Sequence, residues 1–225
     1  NAMGPELPTY FKAHLVQAFA GVVGDVLDRT LPKAAHGVIT LDETQRAFHE
    51  QYGIDAERLH IVPAGIEPKD LEEPELETIH HVQDVLGDGP WLIYAGNPDN
   101  YQNLELLWDA LPLIRQARPE AKLLIATSYE PETFAQLIPS HIPEEARHIY
   151  RYHSLAELKA LFAVADVGLS PRKIWAGVPI KILNYLATGL PVVACKSASR
   201  YLLDEGCGAL VEDNPESFAQ GVLET

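Results

Sequence analysis

The sequence predicts an α/β protein built on a doubly wound parallel sheet. Three observations lead there. From Trp91 onward short apolar runs alternate with segments of helical periodicity. The connections between them are short. The run Trp91-Leu92-Ile93-Tyr94-Ala95 reads as a strand buried within a sheet, the pattern of strands with helices on both faces. The 225 residues, at ~150 per domain, correspond to about one and a half domains, a complete one and a piece of another.

The elements follow in order. Asn1-Ala2 before Met3 reads as the remnant of a purification tag and is set aside. Phe11, Leu15, Ala18, Phe19, Val22, Val23, Val26, Leu27 and Leu31 recur at helical spacing, so 9–35 is one helix or two. His36–Leu41 is a short strand, Asp42 caps a helix to about Tyr52, and Gly53 ends it. Leu59–Val62 is a strand stopped by Pro63. Pro63–Glu77, with Asp70, Glu72, Glu73, Glu75 and Glu77, is a linker with a solvated acidic face. Beyond it, strands are expected at 91–95, 121–126, 148–152, 167–170, 191–195 and 208–211. Helices are expected at 104–117, 131–138, 155–163, 180–187, 198–204 and from 216 to the chain end.

Composition narrows the function. Hydrophobic residues make up 47% and charged residues 22%, which excludes a disordered, collagenous or coiled-coil chain. Against 32 acidic residues stand 17 basic ones, a net charge of −15. There is no basic excess to track a phosphate backbone, so nucleic acid is not the partner. An anionic membrane repels such a chain unless a local basic face exists. Cys195 and Cys207 are too few for a metal cage or a disulfide framework. They read as reduced, half-buried thiols of a cytoplasmic protein, although a single bridge between them is compatible with the sequence. No run of ~18 apolar residues is present to span a membrane, and no signal peptide is visible.

A doubly wound sheet binds ligands in the loops after its strands, here 96–103, 127–131, 152–155 and 170–180. The most informative loop begins at Ser170. It carries Arg172, Lys173 and Gly177, and Pro179 opens the following helix. Pro suits that first turn, where its missing N–H costs nothing. Lys181 lies in the same turn, against the preference of the helix dipole, and a bound anion would remove that conflict. Helix-end amides with Arg172, Lys173 and Lys181 make a phosphate or diphosphate cradle. Taken singly, each cation reads rather as a solvated or snorkelling side chain; the three together favour the site. The second loop, Gly96 to Asn103, lets the backbone approach a ligand at Gly96. It equally reads as a turn in which Asn100, Gln102 or Asn103 caps the next helix. It is neither a G-x-G-x-x-G nor a Walker loop. His153, at a strand end, either points into the site or forms a helix cap with Ser154. No zinc spacing, H-E-x-x-H or G-x-S-x-G occurs.

The run Ala165-Asp166-Val167, Ser170-Pro171 and Pro179-Ile-Lys181-Ile-Leu-Asn184-Tyr-Leu-Ala-Thr-Gly189-Leu-Pro191-Val-Val-Ala194 resembles the donor-binding region of glycosyltransferase family 4, the group 1 glycosyltransferases. Leu92–Asn97 and Tyr101–Leu107 resemble the opening of that family's second domain. Ala35–Thr40 and Leu59–Ile66 resemble the last two strands of its first. The resemblance implies the GT-B arrangement of two Rossmann-like domains. Residues 1–66 would be the remnant of the acceptor-side domain. Residues 67–225 would be the donor-binding domain, expected to lack its final helix.

It further implies a retaining, hexosyl-type transferase that moves a sugar from a nucleotide-diphosphate-sugar to an acceptor hydroxyl. No cofactor or metal is expected. The acceptor would be a polysaccharide or lipid-linked glycan of cell-envelope biosynthesis. The setting would be the cytoplasm, with peripheral association at the inner membrane face open to the full-length protein. Arg172 and Lys181 would stabilise the leaving diphosphate. Gly96, Asn97, Gln102, His153, Lys173, Gly177 and Asn184 would hold the donor, Asn184 at the ribose and the Tyr152–Leu155 loop at the base. The sequence departs from the family where two glutamates are usual (Ala176 and Asn184) and where a loop Arg and Lys are usual (Asn97 and Gln102). A degraded nucleotide-sugar-binding protein and a nucleotide-sugar epimerase of the same architecture are the alternative readings.

Overall fold

The computed structural model describes residues 3–11, 13–67, 72–173, 179–199 and 206–225. The described residues divide into two compact units, one within Met3–Gly65 and the other comprising Ile66–Lys173 and Pro179–Thr225.

The first unit contains α1 (Met3–Glu6), a 3-10 turn, α2 (His14–Ala34), β1 (Val38–Thr40), α3 (Glu43–Gln51), a second 3-10 turn and β2 (Leu59–Ile61). The two strands pair in parallel. Asp42 begins α3 as the sequence predicts: its side chain accepts from the Gln45 backbone N–H at 2.8 Å, and the Gln45 side chain accepts from Leu41 N–H at 3.0 Å. This reciprocal pairing at a helix start satisfies two backbone donors. Ala20 and Gly24 are the buried positions of α2. A Cβ on Gly24 would collide with the Met3 backbone, so the glycine is what lets α1 lie against α2.

The second unit contains α4 (Leu76–Leu86), β3 (Trp91–Ala95), α5 (Glu105–Ala117), β4 (Lys122–Thr127), α6 (Pro131–Ala135), β5 (Arg147–Arg151), α7 (Leu155–Val164), β6 (Val167–Ser170), α8 (Ile180–Ala187), β7 (Val192–Cys195), α9 (Lys196–Ser199), β8 (Gly208–Val211) and α10 (Pro215–Glu224). Its six strands are all parallel, in the order β5-β4-β3-β6-β7-β8. The borders are β5, with every residue half-buried, and the four-residue β8. Alternate residues of β3 serve opposite faces, as the strand period of two requires. Leu92 and Tyr94 pack with α5 and α10, whereas Trp91, Ile93 and Ala95 pack with α4, α7 and α8. Both faces are therefore covered, which is why the central strands carry no polar alternation.

Four expectations need adjustment. Helix α4 occupies residues the sequence reading left as linker or unassigned. Its core side is Val82 and Leu86, with Ile79 packed against it, and this thin apolar stripe is masked by acidic neighbours and the His80-His81 pair. Pro179 is the residue before α8, not its first turn. The cysteines are both free, but Cys195 is buried and Cys207 exposed; the first lies in central β7, the second before edge strand β8. Of the helix expected over 198–204, α9 is seen over Lys196–Ser199, and the remainder lies outside the described residues.

Candidate functional site

The strand order reverses direction between β3 and β6, and that reversal is where doubly wound sheets open a crevice at their carboxyl ends. The register shows the opening. β3 pairs with β6 only at Leu92–Val167 and Ile93–Gly168, while β3 stays paired with β4 as far as Ala95–Ala126. Tyr185 of α8 fills the gap. Its hydroxyl accepts from Ala95 N–H at 2.8 Å and faces the Ile93 carbonyl at 3.3 Å. A Cβ at Gly168 would stand 2.6 Å from the tyrosine ring, so glycine there makes room for the wedge.

At the mouth of the crevice β3 runs into Gly96, whose φ of 154° favours glycine. A Cβ there would lie 3.1 Å from Lys181 Nζ and 3.0 Å from the Tyr94 hydroxyl. Lys181 projects from the first turn of α8. Its ammonium donates to Gln102 Oε1 at 2.8 Å and stands 3.9 Å from the centre of the Tyr94 ring. Arg172 follows β6, is 7% exposed, and lies 4.9 Å over the Tyr101 ring. Each cation thus rests on an aromatic face, an attraction of roughly 0.5–2 kcal/mol. Burial, and then the Arg172 charge, hold Lys181 well below the usual lysine pKa. Burial in turn pushes the Tyr94 phenol well up, and its hydroxyl donates to the Asn97 carbonyl at 2.7 Å. Two cations therefore meet at the strand ends, and the Arg172 charge adds to the cost of keeping Lys181 charged.

The structure brings together Gly96, Asn97, Gln102, Arg172 and Lys181. Gln102 and Asn103 are not helix caps: α5 begins at Glu105 without a side-chain cap, and Asn103, in the left-handed conformation, donates to the Pro171 carbonyl at 2.9 Å. That bond ties the loop after β3 to the segment after β6. Asn184 is half-buried one turn beyond Lys181 on α8. Lys173 is exposed. His153 is also exposed; its backbone N–H donates to the Glu157 carboxylate at 2.7 Å, while Ser154 Oγ accepts from Glu157 N–H at 3.1 Å, so the pair forms the cap of α7. Gly177 and Ala176 lie outside the described residues.

Sequence reasoning missed Tyr94, Tyr101, Tyr185, Asp99 and Asn103. Their signal was weak because each is an ordinary residue in or beside an expected element: Tyr94, Tyr101, Tyr185 and Asn103 meet partners remote in sequence only in the fold, and Asp99 pairs with the nearby Asn97. Ser170, the last residue of β6, is completely buried and its Oγ has no hydrogen-bond partner among the described residues. A cleft of about 550 Å³ borders the same loop, lined by Pro98, Asp99, Asn103, Leu104 and Trp108. A cavity of about 730 Å³ sits at the opposite, amino end of β3, and its Asp84, Asp88 and Asp166 make it a poor host for an anion. Among the described residues no group of three or more His, Cys, Asp or Glu could hold a metal ion, and no helix is long and apolar enough to cross a membrane.

Comparison with known proteins gives a consistent picture. A family model described as glycosyl transferases group 1 matches residues 89–225. Anabaena HepE in complex with UDP and glucose is 16% identical with a TM-score of 0.73, covering 100% of this chain and 59% of that one. WaaG, a glycosyltransferase involved in lipopolysaccharide biosynthesis, is 19% identical with a TM-score of 0.75, covering 98% and 62%. Sucrose-phosphate synthase from Thermosynechococcus elongatus is 18% identical with a TM-score of 0.78, covering 99% and 56%. The chain therefore spans less than two thirds of the length of each of these structures. No curated protein sequence matches it.

Proposed function

The chain belongs to the group 1 glycosyl transferases, and from that membership we propose that its second unit holds the nucleotide-diphosphate-sugar donor of a retaining, hexosyl-type transfer of family 4 character. The observation that carries this reading is the meeting of Arg172 and Lys181 where β3 and β6 part. A departing nucleoside diphosphate builds negative charge on its β-phosphate. Cations fixed beforehand at that point lower the barrier, since they need no reorganisation as the charge develops. Lys181 and Arg172 take this role, with the start of α8 adding the positive end of the helix dipole. Gly96 allows close approach of backbone to ligand. Asn184, a donor and acceptor without charge, reads the ribose hydroxyls. Lys173 and Gly177 belong to the same donor loop, and His153 to the loop nearest the base.

The two side-chain cations supply the charge for leaving-group stabilisation in this reading, with no cofactor or metal. The acceptor is a glycan or lipid-linked glycan of cell-envelope biosynthesis, chosen by the acceptor-side domain of the whole enzyme in the cytoplasm, with peripheral contact to the membrane. The complex of HepE with UDP and glucose supports a nucleotide-sugar donor and makes UDP the first ligand to try. A thermal-shift screen of nucleoside diphosphates and their sugars tests the proposal, because a ligand of the native state raises its melting temperature. A clear rise with at least one nucleoside diphosphate is expected; no rise with any of them overturns the reading.

A further inference from the structure

Lys181 stands at one end of a chain of side-chain hydrogen bonds. Its Nζ donates to Gln102 Oε1 at 2.8 Å, Gln102 Nε2 donates to Asn97 Oδ1 at 3.2 Å, and Asn97 Nδ2 donates to Asp99 Oδ2 at 2.7 Å. The two ends fix the direction of the whole. An ammonium only donates and a carboxylate only accepts, so each amide between them must turn its carbonyl toward Lys181 and its NH2 toward Asp99. Both amide dipoles therefore point their negative ends at the ammonium.

We propose that Asn97 and Gln102 are positioning residues, not donor contacts, and form with Asp99 a polar relay that aims the Lys181 ammonium at the crevice and keeps it charged. The inference deepens the donor-site reading above and rests on it. It also accounts for the residue at 102. With Lys181 Nζ 2.8 Å from that side chain, a lysine there would set two ammonium groups in contact, whereas a glutamine supplies the acceptor. The ammonium rests on the Tyr94 ring, and the absence of a side chain at Gly96 is what lets it lie there. The titratable groups that face it are Arg172 after β6 and Tyr94 of β3, and Tyr94 in turn has Asp99, Tyr101 and Tyr185 as its neighbours. Arg172 and burial both favour loss of the Lys181 proton; the relay acts against them, since a hydrogen bond to the charged form favours it.

The test has two arms on the full chain. In the first, isotope-labelled lysine reports the Lys181 titration by NMR without ligand. Gln102→Met, which keeps the volume and removes the amide, and Asp99→Ala, which removes the accepting end, are both expected to make Lys181 lose its proton at lower pH than in the wild type. In the second, UDP, GDP and ADP are titrated calorimetrically. Gln102→Met is expected to weaken the nucleotide that binds by about tenfold, the worth of one charge-assisted hydrogen bond, and Asp99→Ala to weaken it too. Simple removal of a carboxylate near a phosphate site would tighten binding instead. Tighter binding by Asp99→Ala, or a Lys181 titration unchanged by Gln102→Met, overturns the relay. A shifted titration in a protein that binds none of the three nucleotides upholds the relay and overturns the donor reading.

Discussion

The hydroxyl of Tyr185 replaces a strand: it takes the Ala95 N–H at 2.8 Å, a backbone donor that β6 no longer reaches. The two strands thereby part without leaving an orphaned amide in the core. Tyr185→Phe removes this acceptor and strands a buried N–H, at a cost of about 1–3 kcal/mol. Urea unfolding of the variant against the wild type measures that loss; an unchanged midpoint would mean that the hydroxyl does not support the sheet.

Lys181→Ala should weaken nucleoside diphosphate affinity by about 1–3 kcal/mol, the range for a hydrogen bond to a charged group. Titration calorimetry decides it, and equal affinity in the variant removes Lys181 from the donor site.

The same lysine imposes a pH dependence on stability. Its folded-state pKa lies below the unfolded value because of burial and Arg172. The unfolded chain thus binds more protons between the two values, and the penalty carried by Lys181 is relieved as pH rises toward the ordinary lysine range. Tyr94 and Tyr185, pushed up by burial, act in the opposite sense at high pH. The comparison with Lys181→Met isolates the lysine: the variant is expected to be the more stable at neutral pH, with the gap narrowing as pH rises. Denaturation midpoints across that range give the answer.

Arg172→Lys is not a conservative change where a planar guanidinium lies over a ring. It should lower nucleoside diphosphate affinity by about tenfold, through loss of both the Tyr101 stack and the forked contact with phosphate proposed for Arg172. Calorimetry alongside Lys181→Ala shows whether the two cations act together.

Gly208 of β8 has φ of 144°, and a Cβ there would run into the Val192 backbone. Gly208→Ala should cost about 3 kcal/mol or more, combining backbone strain with a steric collision in the sheet. Thermal unfolding of the variant is the check.

Much of this architecture was readable from the residues. Strands such as Trp91–Ala95 and Val167–Ser170 announced themselves because a sheet covered on both faces demands continuous apolar runs. Helix α4 did not, because a surface helix can rest on a few positions, here Ile79, Val82 and Leu86. Within the site, Lys181 was visible as a cation placed against the helix dipole and Arg172 as one of two adjacent loop cations. Their partners were not: Gln102 lies far from Lys181 in sequence and meets it only because β3 and β6 are neighbours. The sequence reading gave Gln102 and Asn97 a direct role with the donor; the relay proposed above gives them an indirect one, resting on amide directions that no one-dimensional pattern displays.

The border strand β5 reads Arg147-His148-Ile149-Tyr150-Arg151, and its last residue pairs with Glu130 at 2.6 Å. A ladder of unsatisfied amides invites a foreign strand, yet here an incoming chain would have to desolvate two guanidinium groups to dock. The opposite border is too short to template much. Charge at one rim and brevity at the other are the features that disfavour edge-to-edge pairing of the large sheet, whose interior strands are among the most apolar stretches of the chain.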